Sequence, residues 1–124
     1  MSEFESASSE YLKLPISLHE ILIDHPTSTF WGEVVGQSME SYGIFSGDVL
    51  IVCRAAAETD LDIIVCTLNT VYMCKLFDRK KKRLISGNAQ HKTYQLDESD
   101  DFLEEGIVIH SIRNHRRSSK LDVS

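Results

Sequence analysis

Ser38 and Lys75 are the residues whose type and setting could do covalent chemistry. Ser38 lies within Val34-Val35-Gly36-Gln37-Ser38-Met39-Glu40-Ser41-Tyr42-Gly43-Ile44-Phe45-Ser46-Gly47-Asp48. A strand ends at Gly36, and residues 39–44 read as a single helical turn. Backbone N–H groups at such a turn are unpaired and point outward, as an oxyanion hole requires. Taken alone, a serine between strand and helix reads first as an N-cap. Nor is the stretch the nucleophile elbow of the hydrolases, because Glu40 occupies the place of its second glycine.

A serine hydroxyl needs a base to become a nucleophile, and no His–Asp pairing is suggested by the sequence. Lysine can serve where burial lowers its pKa towards neutrality. In Val71-Tyr72-Met73-Cys74-Lys75-Leu76-Phe77 alternate residues of a strand share a face, which sets Lys75 among Val71, Met73 and Phe77. Such a lysine is either snorkelling at an edge or held out of water for a purpose.

The elements that must position these residues are short strands. Residues 30–35, 49–53, 63–68, 71–77, 83–85 and 106–112 carry strand patterns, with Asn69-Thr70 joining two of them as a hairpin. Asn69 suits left-handed turn geometry, whereas Thr70 is a poor second residue for it. One short helix is expected after Ser17, which has Glu20 three residues on in the capping-box pattern. The reading is therefore mainly β, curled on itself to hide its edges, with at most one or two short helices. A Ser- and Glu-rich arm over 1–17, a domain over 18–113 and a tail over 114–124 complete the expected organisation.

Several classes are excluded. The net charge of −6 argues against a general nucleic-acid binder, which carries a basic footprint. No run reaches the roughly 18 apolar residues of a membrane span, and no signal-peptide core follows Met1. Cys53, Cys66 and Cys74 show no CxxC spacing and lie at or in apolar runs, so they read as buried reduced thiols of a cytoplasmic protein. The five histidines lack metal-site spacing, and no metal or cofactor is expected.

The motifs together resemble the LexA/UmuD family of Ser–Lys self-cleaving proteins. Gly36-Gln37-Ser38-Met39, Gly43-Ile44 and Gly47-Asp48-Val49-Leu50-Ile51-Val52 resemble its serine box. The segment around Lys75 resembles its lysine strand, and Leu84-Ile85 with Asn88 the strand and loop that follow. Asp24-His25-Pro26-Thr27-Ser28-Thr29-Phe30 and Gly106-Ile107-Val108-Ile109-His110 are closest to the UmuD branch. The resemblance implies the curled β fold of that family's catalytic domain, with Ser38 as nucleophile and Lys75 as general base. It further implies backbone N–H groups at Gln37 and Ser38 as the oxyanion site. Implied partners are a second copy in a homodimer, a Y-family error-prone polymerase and RecA–single-strand DNA filaments, without sequence-specific DNA binding.

The departures are specific. No glycine precedes Gly32, so the Ala–Gly or Cys–Gly cleavage pair is not recognisable before Ser38, and the likeness is to the processed, short form of UmuD. Leu61 stands where the family usually has glycine, and Ser86 and Thr93 where prolines are common. Function therefore reads as an accessory of SOS mutagenesis; the alternatives are a peptidase acting in trans and a non-enzymatic decoy that heterodimerises with longer relatives. The cluster Arg79-Lys80-Lys81-Lys82-Arg83 is either a solvated turn or a surface for phosphates or an acidic partner. The acidic stretch over 97–105 reads as solvated loop, and Trp31 as core or dimer-interface packing.

Overall fold

The computed structural model describes residues 17–88 and 92–116. The arm expected over 1–17 lies outside these residues apart from Ser17, as does the tail beyond residue 116. The chain enters through α1 (Leu18–Leu22), where Ser17 and Glu20 close the anticipated capping box. No α1 residue is buried. A 3-10 turn over Pro26–Ser28 leads into β1 (Thr29–Glu33).

Six further strands follow: β2 (Val49–Cys53), β3 (Leu61–Leu68), β4 (Val71–Asp78), β5 (Arg83–Ile85), β6 (Tyr94–Gln95) and β7 (Phe102–Ile112). All pairings are antiparallel, in the order β1-β2-β7-β3-β4-β5-β6, so the fold is mainly β and its one sheet stays open between β1 and β6.

The last strand supplies the curl. Val65 pairs with Gly106 while Cys66 pairs with Glu104, leaving Glu105 as an extra residue. Ile51 pairs with His110 while Val52 pairs with Val108, leaving Ile109 extra. Two bulges in one strand bend it and increase its twist, folding β2 towards β3. Gly106 is required at the bend, because a Cβ there would stand 2.7 Å from Val52 Cγ1.

The curl encloses apolar residues on both faces. On one, Ile64, Cys66, Leu68, Phe77, Leu84 and Ile107 form a cluster with Met73 and Phe102 against it. On the other, Leu50 and Val52 meet Met39 and Ile44 of the loop between β1 and β2, with Ile63, Val65, Cys74 and Leu76 packed alongside. Alternation along β3 and β4 thus feeds both clusters.

Two elements differ from the expectation. β7 starts at Phe102, inside the stretch read as acidic loop, because Glu104 is neutralised by Arg79 and Phe102 packs on Phe77 at 5.2 Å between ring centroids. β6 carries too short a pattern to be seen in sequence. The hairpin at Asn69-Thr70 forms as expected, with φ of 50° and 72°. Trp31 is 61% exposed on the edge strand, which removes the core reading of that residue. Among the described residues, no helix is long and apolar enough to cross a membrane.

Candidate active site

Ser38 stands where β1 has ended and the chain turns back. Gly36 takes φ 104°, a left-handed value that glycine tolerates without strain. A 3-10 turn over Glu40–Tyr42 follows and closes on Gly43 at φ 81°, with the Gly43 N–H donating to Glu40 O at 2.9 Å. Ser38 is half-buried, whereas the next residue, Met39, is fully buried in the second cluster and anchors the turn. Among the described residues, neither the Gln37 nor the Ser38 amide donates to a protein acceptor.

An ion pair between buried Asp48 and exposed Arg113 holds the far side of this loop. Asp48, 1% exposed, receives Arg113 Nε at 2.8 Å and Nη2 at 2.9 Å on its two oxygens and the Phe45 amide at 2.8 Å. Arg113 also donates to Gly43 O at 3.0 Å and lies 4.3 Å over the Phe45 ring. The Arg113 hydrogen bond foremost, then the Phe45 amide, holds the Asp48 carboxyl below the usual range against its burial.

Lys75 lies mid-β4 opposite Ile64 of β3. Met73 and Phe77 pack in the first cluster and Cys74 and Leu76 in the second, so alternation sends Lys75 to the first. Burial lowers its pKa, opposed among the described residues by the neighbouring thiols Cys74 and Cys66. Desolvation pushes those thiols up to about 11 and about 12, so both stay neutral and supply no counter-charge near pH 7.

The hydroxyl that Lys75 Nζ reaches is Ser86 Oγ, at 2.9 Å. Among the described residues, no hydrogen bond joins it to Ser38. The two halves are linked instead through the segment after β5. Leu76 pairs with Ile85, so Ser86 stands opposite Lys75, one step past the strand. The next amide, Gly87 N–H, donates to Ser38 O at 2.5 Å, and the Ser41 N–H donates to Gly87 O at 2.7 Å. Asn88 Nδ2 donates to Gln37 O at 3.2 Å. Gly87 is buried under Tyr42, where a Cβ would stand 2.5 Å from the ring. Three consecutive residues therefore hold the lysine with one and the serine loop with the other two.

Beside Ser38 opens a largely apolar cavity of about 460 Å³, lined among others by Val35, Met39, Val65, Tyr72 and Met73. It is large enough to take a few apolar side chains of an extended peptide.

Sequence reasoning missed the bond from Lys75 to Ser86, noting Ser86 only as a departure from proline. The usable signal was the hairpin register, which sets residues 75 and 86 opposite each other. The basic cluster is largely neutralised: Arg79 binds Glu104 and Asp62, Lys80 lies 3.2 Å from Asp60, and Arg83 lies 3.2 Å from Asp78. The acidic loop is built as a turn, with the Asp97 amide donating to Asp100 Oδ2 at 2.9 Å and the Ser99 amide to Asp97 Oδ1 at 2.7 Å. Among the described residues, no group of His, Cys, Asp or Glu could hold a metal ion.

The described residues thus form an open, curled antiparallel sheet whose 86–88 segment bonds both Lys75 and the Ser38 loop. The chain belongs to the Peptidase S24-like family, whose model matches residues 1–109. It is similar to protein MucA of Salmonella typhimurium, 33% identical over 114 residues, which cover 90% of this chain and 78% of MucA. It is 28% identical to protein ImpA of Shigella flexneri over 116 residues, 91% of this chain and 78% of ImpA. The LexA repressor of Ralstonia pickettii is 36% identical over 84 residues, 65% of this chain and 39% of the repressor. The chain is thus a UmuD-like member of a family that includes self-cleaving serine peptidases such as LexA.

Proposed function

We propose that this protein is a UmuD-like accessory of SOS mutagenesis in the cytoplasm, carrying a Ser38–Lys75 dyad of the self-cleaving peptidase type. The observation that carries the reading is the 86–88 segment, which bonds both Lys75 and the Ser38 loop. As a partner protein it would form a homodimer and join a Y-family error-prone polymerase and RecA–single-strand DNA filaments in replication past lesions. Family-level likeness to the UmuD-like proteins MucA and ImpA supports this reading.

In the peptidase step, neutral Lys75 accepts the Ser38 hydroxyl proton as Oγ attacks the scissile carbonyl carbon. The Gln37 and Ser38 amides stabilise the resulting oxyanion. Lys75 then returns the proton to the departing amine, leaving an acyl-serine that water hydrolyses with Lys75 again as base. Burial of Lys75 favours its neutral form, as this role needs. The apolar cavity beside Ser38 supports a second reading, cleavage of another chain in trans, because it offers room for a bound peptide.

One incubation tests both readings. The protein is mixed with a catalytically dead, full-length UmuD-type substrate and RecA filaments, with Ser38→Ala run alongside. Cleavage that disappears in Ser38→Ala is expected for a working dyad. A folded, dimeric protein that leaves the substrate intact would move the function wholly to polymerase binding.

A further inference from the structure

We propose that Ser86 is a positioning residue of the peptidase site, holding the Lys75 amine through its hydroxyl while its own backbone neighbours fix the Ser38 loop. The inference deepens the dyad reading and rests on it. Three observations converge. Ser86 Oγ lies 2.9 Å from Lys75 Nζ, and among the described residues it is the one hydrogen-bond partner of that amine. Ser86 is directly bonded to Gly87, whose N–H meets Ser38 O and whose carbonyl receives the Ser41 amide. Gly87 in turn is locked beneath Tyr42, where no side chain fits. The hydroxyl is therefore mounted on a fixed backbone segment shared with the nucleophile's loop.

In this chain, which has serine where the family commonly has proline, the chemistry gains from such a support. A lysine side chain has four rotatable carbons, and an amine free to swing spends little time aimed at one hydroxyl. A single neutral acceptor removes part of that freedom without adding a charge that would hold the amine protonated. Among the described residues, the titratable groups near Lys75 are Cys74 on its own strand and Cys66 on β3, both neutral thiols. From the β5 side the facing group is the Ser86 hydroxyl itself. A carboxylate at this position would pin the amine equally well but keep it protonated, and alanine or proline would leave it unheld.

The test uses the full chain with a fluorophosphonate probe, which reacts with an activated serine, and follows the labelling rate at Ser38 by mass spectrometry across pH. The 13Cε signal of Lys75 is titrated in parallel. Ser86→Ala is expected to slow labelling at high pH by roughly 10- to 100-fold, the scale of a misplaced catalytic group. It is also expected to move the Lys75 titration to lower pH, since the ammonium form loses an acceptor. Ser86→Thr, which keeps the hydroxyl, is expected to restore both. Ser86→Ala with unchanged or faster labelling, while Lys75→Ala abolishes it, would overturn the positioning role and leave the dyad standing. Labelling of Ser38 that survives Lys75→Ala would remove the dyad itself, and the role of Ser86 with it.

Discussion

At the scale of single residues, the site is defined by one amine kept short of water and one carboxylate kept fully paired. Lys75 has a folded pKa below its unfolded value of roughly 10.4. Between the two, the unfolded chain binds more protons, so this residue makes stability rise with pH through that window, and its penalty is complete below it. Lys75→Met should therefore raise the urea midpoint at pH 7, with the gap over the parent narrowing as pH approaches roughly 10.4. A gap that stays constant would mean that Lys75 is not desolvated. Asp48 works in the opposite sense: its depressed pKa contributes stability above the ordinary carboxylate range, lost as pH falls through the folded value. Arg113→Met takes away the main cause of the depression, so acid unfolding followed by circular dichroism should begin at higher pH. Alternation set Lys75 on an apolar face but left snorkelling and desolvation both open, and only the family resemblance singled it out as the candidate base. The Asp48–Arg113 pair was not legible, because nothing local marks two residues 65 positions apart as partners.

At the scale of elements, the connecting segment after β5 and the turn after β3 are the sensitive places. Gly87→Ala drives a Cβ into the Tyr42 ring, and overpacking of this kind typically costs about 1–3 kcal/mol. Thermal melts should show that loss, and the Ser38 loop should exchange its amides faster than in the parent. Thr70 holds φ 72° with a branched side chain. Thr70→Gly should stabilise the hairpin by about 1 kcal/mol, the scale of such backbone strain. An unchanged or lowered midpoint would mean that the turn is not strained. β2, a full apolar run buried along nearly its whole length, was readable to the residue, and β4 to within one residue. β7 was read as starting four residues late, since Glu104 looks like loop until Arg79, in the turn after β4, neutralises it. The bulges that curl the sheet leave no mark in the pattern beyond Gly106.

At the scale of the whole molecule, among the described residues β1 is an unpaired edge of the open sheet, and it carries Trp31, the only tryptophan of the chain. Its emission therefore reports on one place. If the proposed homodimer covers this edge, the emission should shift to the blue with rising concentration, along the same midpoint as sedimentation. A dimer whose tryptophan stays red would place the interface elsewhere on the sheet.

The helix α1 has one further consequence. It is five residues long, capped at its start, and buries nothing, so its stability is local and marginal beside that of the sheet. Amide exchange over residues 18–22 should accordingly be near that of an unfolded peptide. As a helix these five residues span about 7.5 Å and fully extended about 17 Å. Melting this one turn would therefore lengthen the path ahead of β1 by close to a nanometre without breaking a strand pairing.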